Sequence, residues 1–509
     1  MTAQPLAVID IGSNSGRIIV VRLTTGGHLE ILSDARTSLR LMRDIEADGR
    51  LSAAAEQRTL EALQDFMAVA GGAGARRTVA LATSAVREAE NGAAFVQRLR
   101  HSTGLDIRII SGDEEARLAF IGAVNGLPVE HGVLVDVGGG SLEVLRFRSR
   151  RPVTTWSLPL GALRLSDMFL RSDPPRQSEV AALQEHVTRA LHAAGIAHIG
   201  SDEYVVGTGG TIRNLAKMHR STIEYPIPRL HGYMLGRKGL RELVGRIATR
   251  RLSRRAMLPG LSSDRADSIA GGALVVQTVL DVLGAPELVV SGQGLREGVI
   301  YEQFAGALQS TAAVRRASIN AIAARFTSWD AERARRRARM ARALWEVMLP
   351  DADPEVCEAL EHAATMLDVG RSVDYYRRWD HAAEIVVSAD LHGFTHRSIA
   401  LIAALIVRAG KGRAGLDPYS ALCSASDRRV LNRAAVLLAL ADEVERRMPR
   451  GTPVAVERED ARKNVVLTLP VPHEWMPADL QSRFARVFGR ELSLEPHNGD
   501  RQVRAGVGV

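Results

Sequence analysis

Two segments of the chain share one pattern, and this pattern constrains the fold more than any other feature of the sequence. VIDIGSNS at residues 8–15 and LVDVGGGS at residues 134–141 each contain an apolar strand, an aspartate and a turn of small polar residues. A second apolar run follows each turn and predicts a second strand. The similarity between the two segments predicts two related halves of the molecule that face one another.

The turns of these segments have the composition of a phosphate site. Small residues let several backbone N–H groups approach one anion without obstruction by side chains. A third loop, GTGGTIRN at residues 207–214, lies at an apparent strand-to-helix junction, where the helix N-terminus adds partial positive charge. Any one of these loops alone could be a connecting turn, but three in one α/β frame indicate a phosphate site. The candidate phosphate-binding residues are Gly12, Ser13, Asn14, Ser15, Gly138, Gly139, Gly140, Ser141, Gly209, Gly210 and Thr211.

The two aspartates that end the apolar strands, Asp10 and Asp136, are candidate metal ligands. A carboxylate at this position can hold a divalent cation directly or through water, and such a cation bridges phosphate oxygens. The pattern therefore combines anion binding with a possible metal site.

The order of predicted elements divides the chain near residues 305–315. Before this point, β-branched runs alternate with amphipathic helical stretches, which is typical of α/β proteins. From about residue 305 to 448 the sequence is rich in Ala, Leu and Arg and predicts helices. A mixed tail follows, with a strand at VVLTLPV (465–471) and a helix at 477–488. We predict four domains, at residues 1–125, 126–305, 306–448 and 449–509.

Charge favours an anionic partner, because 66 Lys and Arg against 58 Asp and Glu give a net charge of +8. An Arg-rich proteome would produce the same excess without a functional meaning. Aromatic residues make up 4% of the chain and are not expected among the basic clusters, so no specific nucleic-acid partner is predicted. The chain shows no apolar run long enough to span a bilayer and no leader, and its two cysteines, Cys357 and Cys423, form no CxxC pair. We expect a cytoplasmic protein without a membrane partner.

The three loops together resemble the superfamily of sugar kinases, heat-shock chaperone ATPases and actin. This resemblance implies a two-lobed, actin-like/acetate kinase-like (ribonuclease H-like) α/β phosphotransferase fold. Further segments are similar to the exopolyphosphatase/guanosine pentaphosphate phosphohydrolase (Ppx/GppA) phosphatase family and occur in the family's order over about the first 305 residues. These segments are ALATSAVREAEN (80–91), IISGDEEARLAFIGA (109–123), WSLPLGALRL (156–165), RADSIAGGALV (265–275) and SGQGLREGVIYE (291–302).

The family resemblance implies specific roles for several residues. Glu115 matches the glutamate that activates the attacking water, although by composition it could be an ordinary acidic residue in the first turn of a helix, like its neighbour Glu114. Asp136 and Glu143 match positions that hold Mg²⁺, and Gly138 matches a phosphate contact. Arg87 and Arg265 match basic positions beside the phosphates.

The helical second half resembles the HD-type domain of longer family members, followed by a small α/β cap. The expected His-acid pair reads Leu367-Asp368 here, and His381, His392 and His396 lack an acidic partner in sequence, so we predict a metal-free domain. ERARRRARMAR (332–342) has arginines on every side of a predicted helix. This helix could be a solvated face, or a track for a polyanion together with the basic stretch 229–255.

The function predicted from these observations is an Mg²⁺-dependent exopolyphosphatase that releases orthophosphate from the ends of inorganic polyphosphate. The alternatives are a guanosine pentaphosphate 5′-phosphohydrolase that makes guanosine tetraphosphate, an ATP-using actin-like enzyme, and a non-catalytic polyphosphate-binding protein. The resemblance also implies a possible homodimer.

Overall fold

The computed structural model describes residues 4–24, 26–45, 48–305, 308–410, 417–419, 421–460, 464–472, 475 and 477–496. Two compact units are distinguished: Met1–Glu224 with Arg229–Ala317, and Tyr225–Pro228 with Ser318–Val509. Residues 306 and 307, at the predicted boundary, and 497–509, in the predicted cap, lie outside the described residues, and the division into four domains stays a prediction. No helix in the described part of the chain is long and apolar enough to cross a membrane.

The first sheet contains the first glycine-serine turn. Its strand order is β3-β2-β1-β4-β5, with β1 antiparallel to β2 and parallel to β4. β1 is buried along its length except at Asp10, which is partly exposed at the strand end. The strands are β1 (Leu6–Ile11), β2 (Ser15–Leu23), β3 (Leu29–Ser38), β4 (Arg77–Ala82) and β5 (Ile107–Ile109).

The second sheet repeats this arrangement and adds one strand. Its order is β10-β11-β9-β6-β7-β8, so β8-β7-β6-β9-β11 corresponds strand by strand to the first sheet. β6 again pairs antiparallel with the next strand and parallel with β9. This shared topology is what the repeated sequence pattern predicts. The strands are β6 (Gly132–Val137), β7 (Leu142–Arg148), β8 (Arg151–Leu158), β9 (Tyr204–Thr208), β10 (Tyr233–Gly236) and β11 (Glu287–Val290).

The helices of the first unit cover the sheets and form their cores. Phe66 and Phe95 pack against the first sheet, and Phe120 and Phe147 pack in the core of the second. The helices are α1 (Ala53–Gly72), α2 (Ser84–Glu88), α3 (Gly92–Thr103), α4 (Gly112–Asn125), α5 (Ala162–Phe169), α6 (Gln177–Ala193), α7 (Gly209–Arg220), α8 (Arg237–Ala248), α9 (Leu252–Arg255), α10 (Ile269–Leu283) and α11 (Leu295–Ala305).

The second unit is helical up to Glu445, as the sequence predicts. It ends in a small sheet, of which the sequence predicts one strand, at 465–471. Its helices are α12 (Thr311–Ala323, which contains the end of the first unit), α13 (Ala331–Met348), α14 (Pro354–Met366), α15 (Arg378–Ser388), α16 (His396–Ala409), α17 (Ala425–Glu445) and α18 (Ala478–Phe488). The sheet has the order β12-β13-β14, with strands β12 (Glu457–Asp460), β13 (Asn464–Leu469) and β14 (Glu491–Pro496).

The arginine-rich helix α13 is packed by ion pairs inside the second unit. The Arg337 side chain is fully buried and donates hydrogen bonds to Asp368 Oδ2 and Asp442 Oδ1, both at 2.9 Å. Arg333 and Arg336 both pair with Glu445, whose side chain is 1% exposed. These three arginines therefore cannot serve as a polyanion track, and that reading of the helix is wrong for them. Their charges are already satisfied by acids on other helices.

Asp368, the acid at the HD-like position, is committed to the same network. Burial alone would raise its pKa, but the Arg337 guanidinium outweighs burial and holds the pKa of Asp368 below its ordinary value. The histidines named from the sequence contact other groups: His396 Nδ1 lies 2.8 Å from the Tyr225 hydroxyl, His392 Nε2 lies 3.1 Å from Asp390, and His381 pairs with Glu384. His381 and His392 therefore each contact a carboxylate in the structure, although neither begins a His-Asp pair in the sequence.

We expect Arg337→Ala to destabilise the second unit strongly, because it leaves two buried carboxylates without their cation. A loss of about 3–5 kcal/mol in the free energy of unfolding is the usual result when one partner of a buried ion pair is removed. Denaturant unfolding measures it. Arg342→Ala on the same helix is the matched control, since its pairs with Glu346 and Glu361 are exposed and should contribute about 1 kcal/mol or less. Equal effects of the two substitutions would show that the buried Arg337 ion pairs contribute no more than the exposed ones.

Candidate active site

The two glycine-serine turns meet across a cleft in the first unit. Each turn is closed by the same bond, from Gly12 N to Ser15 O at 3.2 Å and from Gly138 N to Ser141 O at 3.0 Å. A Cβ atom on Gly139 would lie 3.2 Å from the Cβ atoms of Ser13 and Asn14, so the turns are in close contact. The structure therefore brings the two turns of the repeated pattern together at one cleft.

The cleft collects most of the residues proposed from the sequence. Thirteen of them line it: Asp10, Gly12, Ser13, Asn14, Ser15, Glu115, Asp136, Gly138, Gly139, Ser141, Gly209, Gly210 and Arg265. Four others lie behind its surface. Glu143 is buried, is the cross-strand partner of Asp136 in the β6–β7 hairpin, and accepts a hydrogen bond from Ser157 Oγ at 3.1 Å. Gly140 binds Arg164 through its carbonyl, Thr211 packs near Gly272, and Arg87 contacts Glu115.

Glu115 is placed in the cleft by the start of α4. Ser111 caps this helix, its hydroxyl accepting the Glu114 N–H at 3.1 Å. The Glu115 side chain is 14% exposed and accepts a hydrogen bond from Arg87 Nη1 at 2.8 Å. Glu114 instead pairs with Arg108, which is half exposed, and does not line the cleft. Of the two neighbouring acids, only Glu115 is thus in a position to act there.

Burial raises the pKa values of the acids in the cleft. The pKa of Glu115 is about 7, because burial and the nearby charges of Asp10 and Asp136 outweigh the Arg87 guanidinium. Burial likewise raises the pKa of Asp136 to about 6 and the pKa of Asp10 above its ordinary value. The pKa of Glu143 lies well above the ordinary value, through burial and then through the charges of Glu115 and Asp136.

Four arginines line the cleft, and only Arg265 among them was proposed from the sequence. Arg17 is the cross-strand partner of Asp10. Arg213 lies in the third loop segment, 207–214, and donates to the Gly292 carbonyl at 2.8 Å, and Arg296 is the second residue of α11. Burial lowers the pKa values of Arg17 and Arg213, and it lowers the pKa of Arg265 to about 10. The three arginines that were not proposed, Arg17, Arg213 and Arg296, each lie inside or next to a sequence motif named above. Their proximity to a motif is the signal that could have identified them.

Other lining residues were also not proposed from the sequence. Glu297 accepts the Gly294 N–H at 2.8 Å, and its charge raises the pKa of Asp10. Thr83 and Ser84 follow β4 and begin α2. The remaining lining residues outside the predicted set are Val137, Thr208, Gly294 and Leu295.

The donor set of the cleft fits Mg²⁺. Asp10 Oδ1 is buried and has no hydrogen-bond partner in the described part of the chain, and Glu115, Asp136 and Glu297 line the same cleft. Among the described residues no three His, Cys, Asp or Glu side chains form a complete metal cluster. Mg²⁺ sites usually consist of one or two carboxylates, waters and substrate phosphates, so such a cluster is not required.

The two sheets and the cleft are those of an actin-like α/β protein, and comparison with known proteins identifies the family. The family model for the Ppx/GppA phosphatase family matches residues 19–306, and the model for its domain III matches residues 314–482. The chain belongs to the Ppx/GppA phosphatase family, a family of phosphoanhydride hydrolases.

Individual relatives agree with this assignment. The chain is similar to exopolyphosphatase 1 of Mycobacterium tuberculosis, with 32% identity over 319 residues that cover 62% of this chain and 92% of the relative. It is also similar to the crystal structure of the Aquifex aeolicus Ppx/GppA family member, with a TM-score of 0.52, 27% identity, and coverage of 60% of this chain and 98% of that one. An exopolyphosphatase structure from Cytophaga hutchinsonii, 23% identical with a TM-score of 0.55, shares the fold over 60% of this chain and 99% of that one.

We expect Gly210→Ala to lower the catalytic activity without unfolding the protein. The new Cβ atom would lie 2.1 Å from Arg265 Nη2 and 2.4 Å from its Cζ, so the guanidinium must move. A displacement of about 1 Å in an active site can lower activity by roughly 10²-fold, and steady-state phosphate release measures kcat/KM. Gly245→Ala in α8 is the control, because a Cβ there meets no atom within 4 Å. An unchanged kcat/KM for Gly210→Ala would show that activity does not depend on the observed position of the Arg265 guanidinium.

Proposed function

We propose that this protein is an exopolyphosphatase that hydrolyses the terminal phosphoanhydride bond of inorganic polyphosphate with Mg²⁺. The observation that carries the proposal is the composition of the cleft wall. Four arginines and three turns of small residues line the cleft. Its apolar lining residues are Val137 and Leu295, and no aromatic side chain is among the described lining residues. A linear phosphate chain matches this wall, while a nucleoside base would find no ring to stack on. The similarity to relatives named exopolyphosphatase supports the same substrate.

Different residues of the cleft would have different roles in the reaction. Arg265 and the turns at Gly12 and Gly138 would bind oxygens of the terminal phosphates and orient the phosphoanhydride bond. Asp10, Asp136 and Glu143 would hold Mg²⁺, which when bound neutralises charge on the phosphate oxygens. Glu115 would accept a proton from the attacking water through its free carboxylate oxygen, while Arg87 holds the other oxygen in place.

The substrate assignment is tested by orthophosphate release from long-chain polyphosphate, guanosine pentaphosphate and ATP, each with and without Mg²⁺. We expect Mg²⁺-dependent release from polyphosphate to be fastest. Glu115→Gln should lower kcat by roughly 10²–10⁴-fold, the usual contribution of a general base, while retaining polyphosphate binding. Glu114→Gln is the matched control and should remain active. Preference for guanosine pentaphosphate would contradict the substrate, and an active Glu115→Gln would contradict the mechanism.

The pKa of Glu115 predicts the pH dependence. Its carboxyl must be deprotonated to accept a proton, so kcat should rise with pH through about 7. Arg87→Met removes the cation that favours the charged form, and the pKa of Glu115 should then rise. A cation in contact lowers a carboxyl pKa by roughly 1–3 units, so the acidic limb of the pH–kcat profile should move to higher pH by about that amount. Arg108→Met, which affects only the Glu114 pair, should leave the limb in place. A limb that stays or moves to lower pH in Arg87→Met would exclude Glu115 as the titrating group.

A further inference from the structure

A cluster of aromatic and basic residues lies in the second unit, outside the catalytic cleft. The sequence VDYYRRW at residues 373–379 interleaves three aromatic residues with two arginines, which corrects the expectation that no basic cluster contains aromatic residues. Tyr376 is 89% exposed and Tyr375 is 49% exposed. Packing of the core does not account for aromatic side chains left in water to this extent.

These residues border a cavity of the second unit that is formed at the start of α15 and at the ends of α16 and α17, together with the beginning of α18. Three aromatic side chains line it, namely Tyr376, Trp379 and Trp475. Its basic lining residues are Arg377, Arg378, Arg446, Arg447 and Arg483, and its acidic ones are Asp380, Asp442, Glu443 and Asp479. The cavity therefore presents flat apolar surfaces and many N–H donors together.

The indole rings are held in position by their neighbours. The Arg447 guanidinium lies 3.8 Å from the centroid of the Trp475 ring, and Arg378 lies 4.7 Å from that of Trp379. A Cβ atom on Gly410 would lie 2.6 Å from Trp379 Cγ, so the Trp379 ring packs directly on this backbone. Rings fixed in this way lose little further freedom when a planar ligand stacks on them.

Arg447 and Arg483 of the cavity have more N–H donors than their internal hydrogen bonds use. Arg483 donates to the Ala409 and Arg408 carbonyls, and Arg447 Nη1 donates to the backbone and side chain of Glu443. A guanidinium carries five N–H donors in a planar fork, more than these bonds use. Asp442 is shared between Arg446 and the fully buried Arg337, which leaves its charge compensated.

We propose that this cavity binds a nucleotide, with the base against the tryptophan rings and the phosphates on the arginines. The combination of ring surfaces and guanidinium groups distinguishes it from the catalytic cleft, whose described lining residues include no aromatic side chain. Inorganic polyphosphate would use the arginines but not the rings, and a nucleoside would use the rings but not the arginines. A nucleotide uses both.

The test is equilibrium binding of ATP and GTP to the full-length protein, followed by quenching of tryptophan emission and by equilibrium dialysis. A Glu115→Gln background prevents turnover. We expect Trp475→Ala and Arg447→Gln each to weaken nucleotide binding at least about tenfold, since each removes one half of a ring–guanidinium pair. Tripolyphosphate and the nucleosides should compete at least about tenfold less well than the nucleotides.

Arg342→Gln is the matched control, because Arg342 also forms an i,i+4 ion pair in the helical unit but lies outside the cavity. It should bind nucleotide as the parent does. Tyr376→Ala, at a highly exposed position, provides a further variant that should fold normally and bind more weakly. Binding that is absent at about 1 mM nucleotide, unaffected in these cavity variants, or matched by tripolyphosphate would overturn the proposal. A single-stranded oligonucleotide bound far more tightly through the same residues would also overturn it, in favour of a strand-binding surface.

Discussion

The burial of charge between the two hairpin turns is the constraint on which the catalytic unit depends. Asp10, Asp136, Glu115 and Glu143 lie largely out of water in one small region, and burial raises the pKa of each of them. Carboxylates gathered in this way remain charged together only if cations stand among them. The first unit supplies Arg17, Arg213, Arg265 and Arg296 from four separate segments. These segments must come together for the charges of the acids to be balanced. The resulting cleft has fixed charges that need little reorganisation when an anion binds.

The sequence pattern determined the central part of this arrangement. An apolar strand that ends in Asp and a small-residue turn predicts both the hairpin and the position of its acid, and the two copies share one strand order in their sheets. The main cleft residues could be named because they occupy turns, where composition reports directly on backbone geometry. Strands at the sheet centres, such as β1 and β6, were predicted because they are apolar up to the aspartate near their end.

Edge strands are harder to predict from the sequence than central strands. β3, β8, β10, β12 and β14 each end a sheet, so each has one neighbour and one side open. Edge strands carry polar and charged residues, which blunt further pairing. β3 accordingly reads LEILSDARTS, and only its first residue is buried. No long apolar run marks β3 or β12, and only a pairing partner reveals such a strand.

The arginines show a second limit of sequence-based prediction, because the role of a cation depends on partners that are remote in the chain. Arg333 and Arg336 are 112 and 109 residues from Glu445, their common partner, and nothing local distinguishes them from arginines that line a binding site. In contrast, Arg265 Nε is buried without a hydrogen-bond partner among the described residues, in a cleft lined by small polar groups. The net charge of +8 is therefore a weaker indication of anion binding than the ion pairs of the individual arginines. An arginine neutralised by a buried acid stabilises the fold, whereas one left facing a cleft, or held against an aromatic ring, is available to an anion.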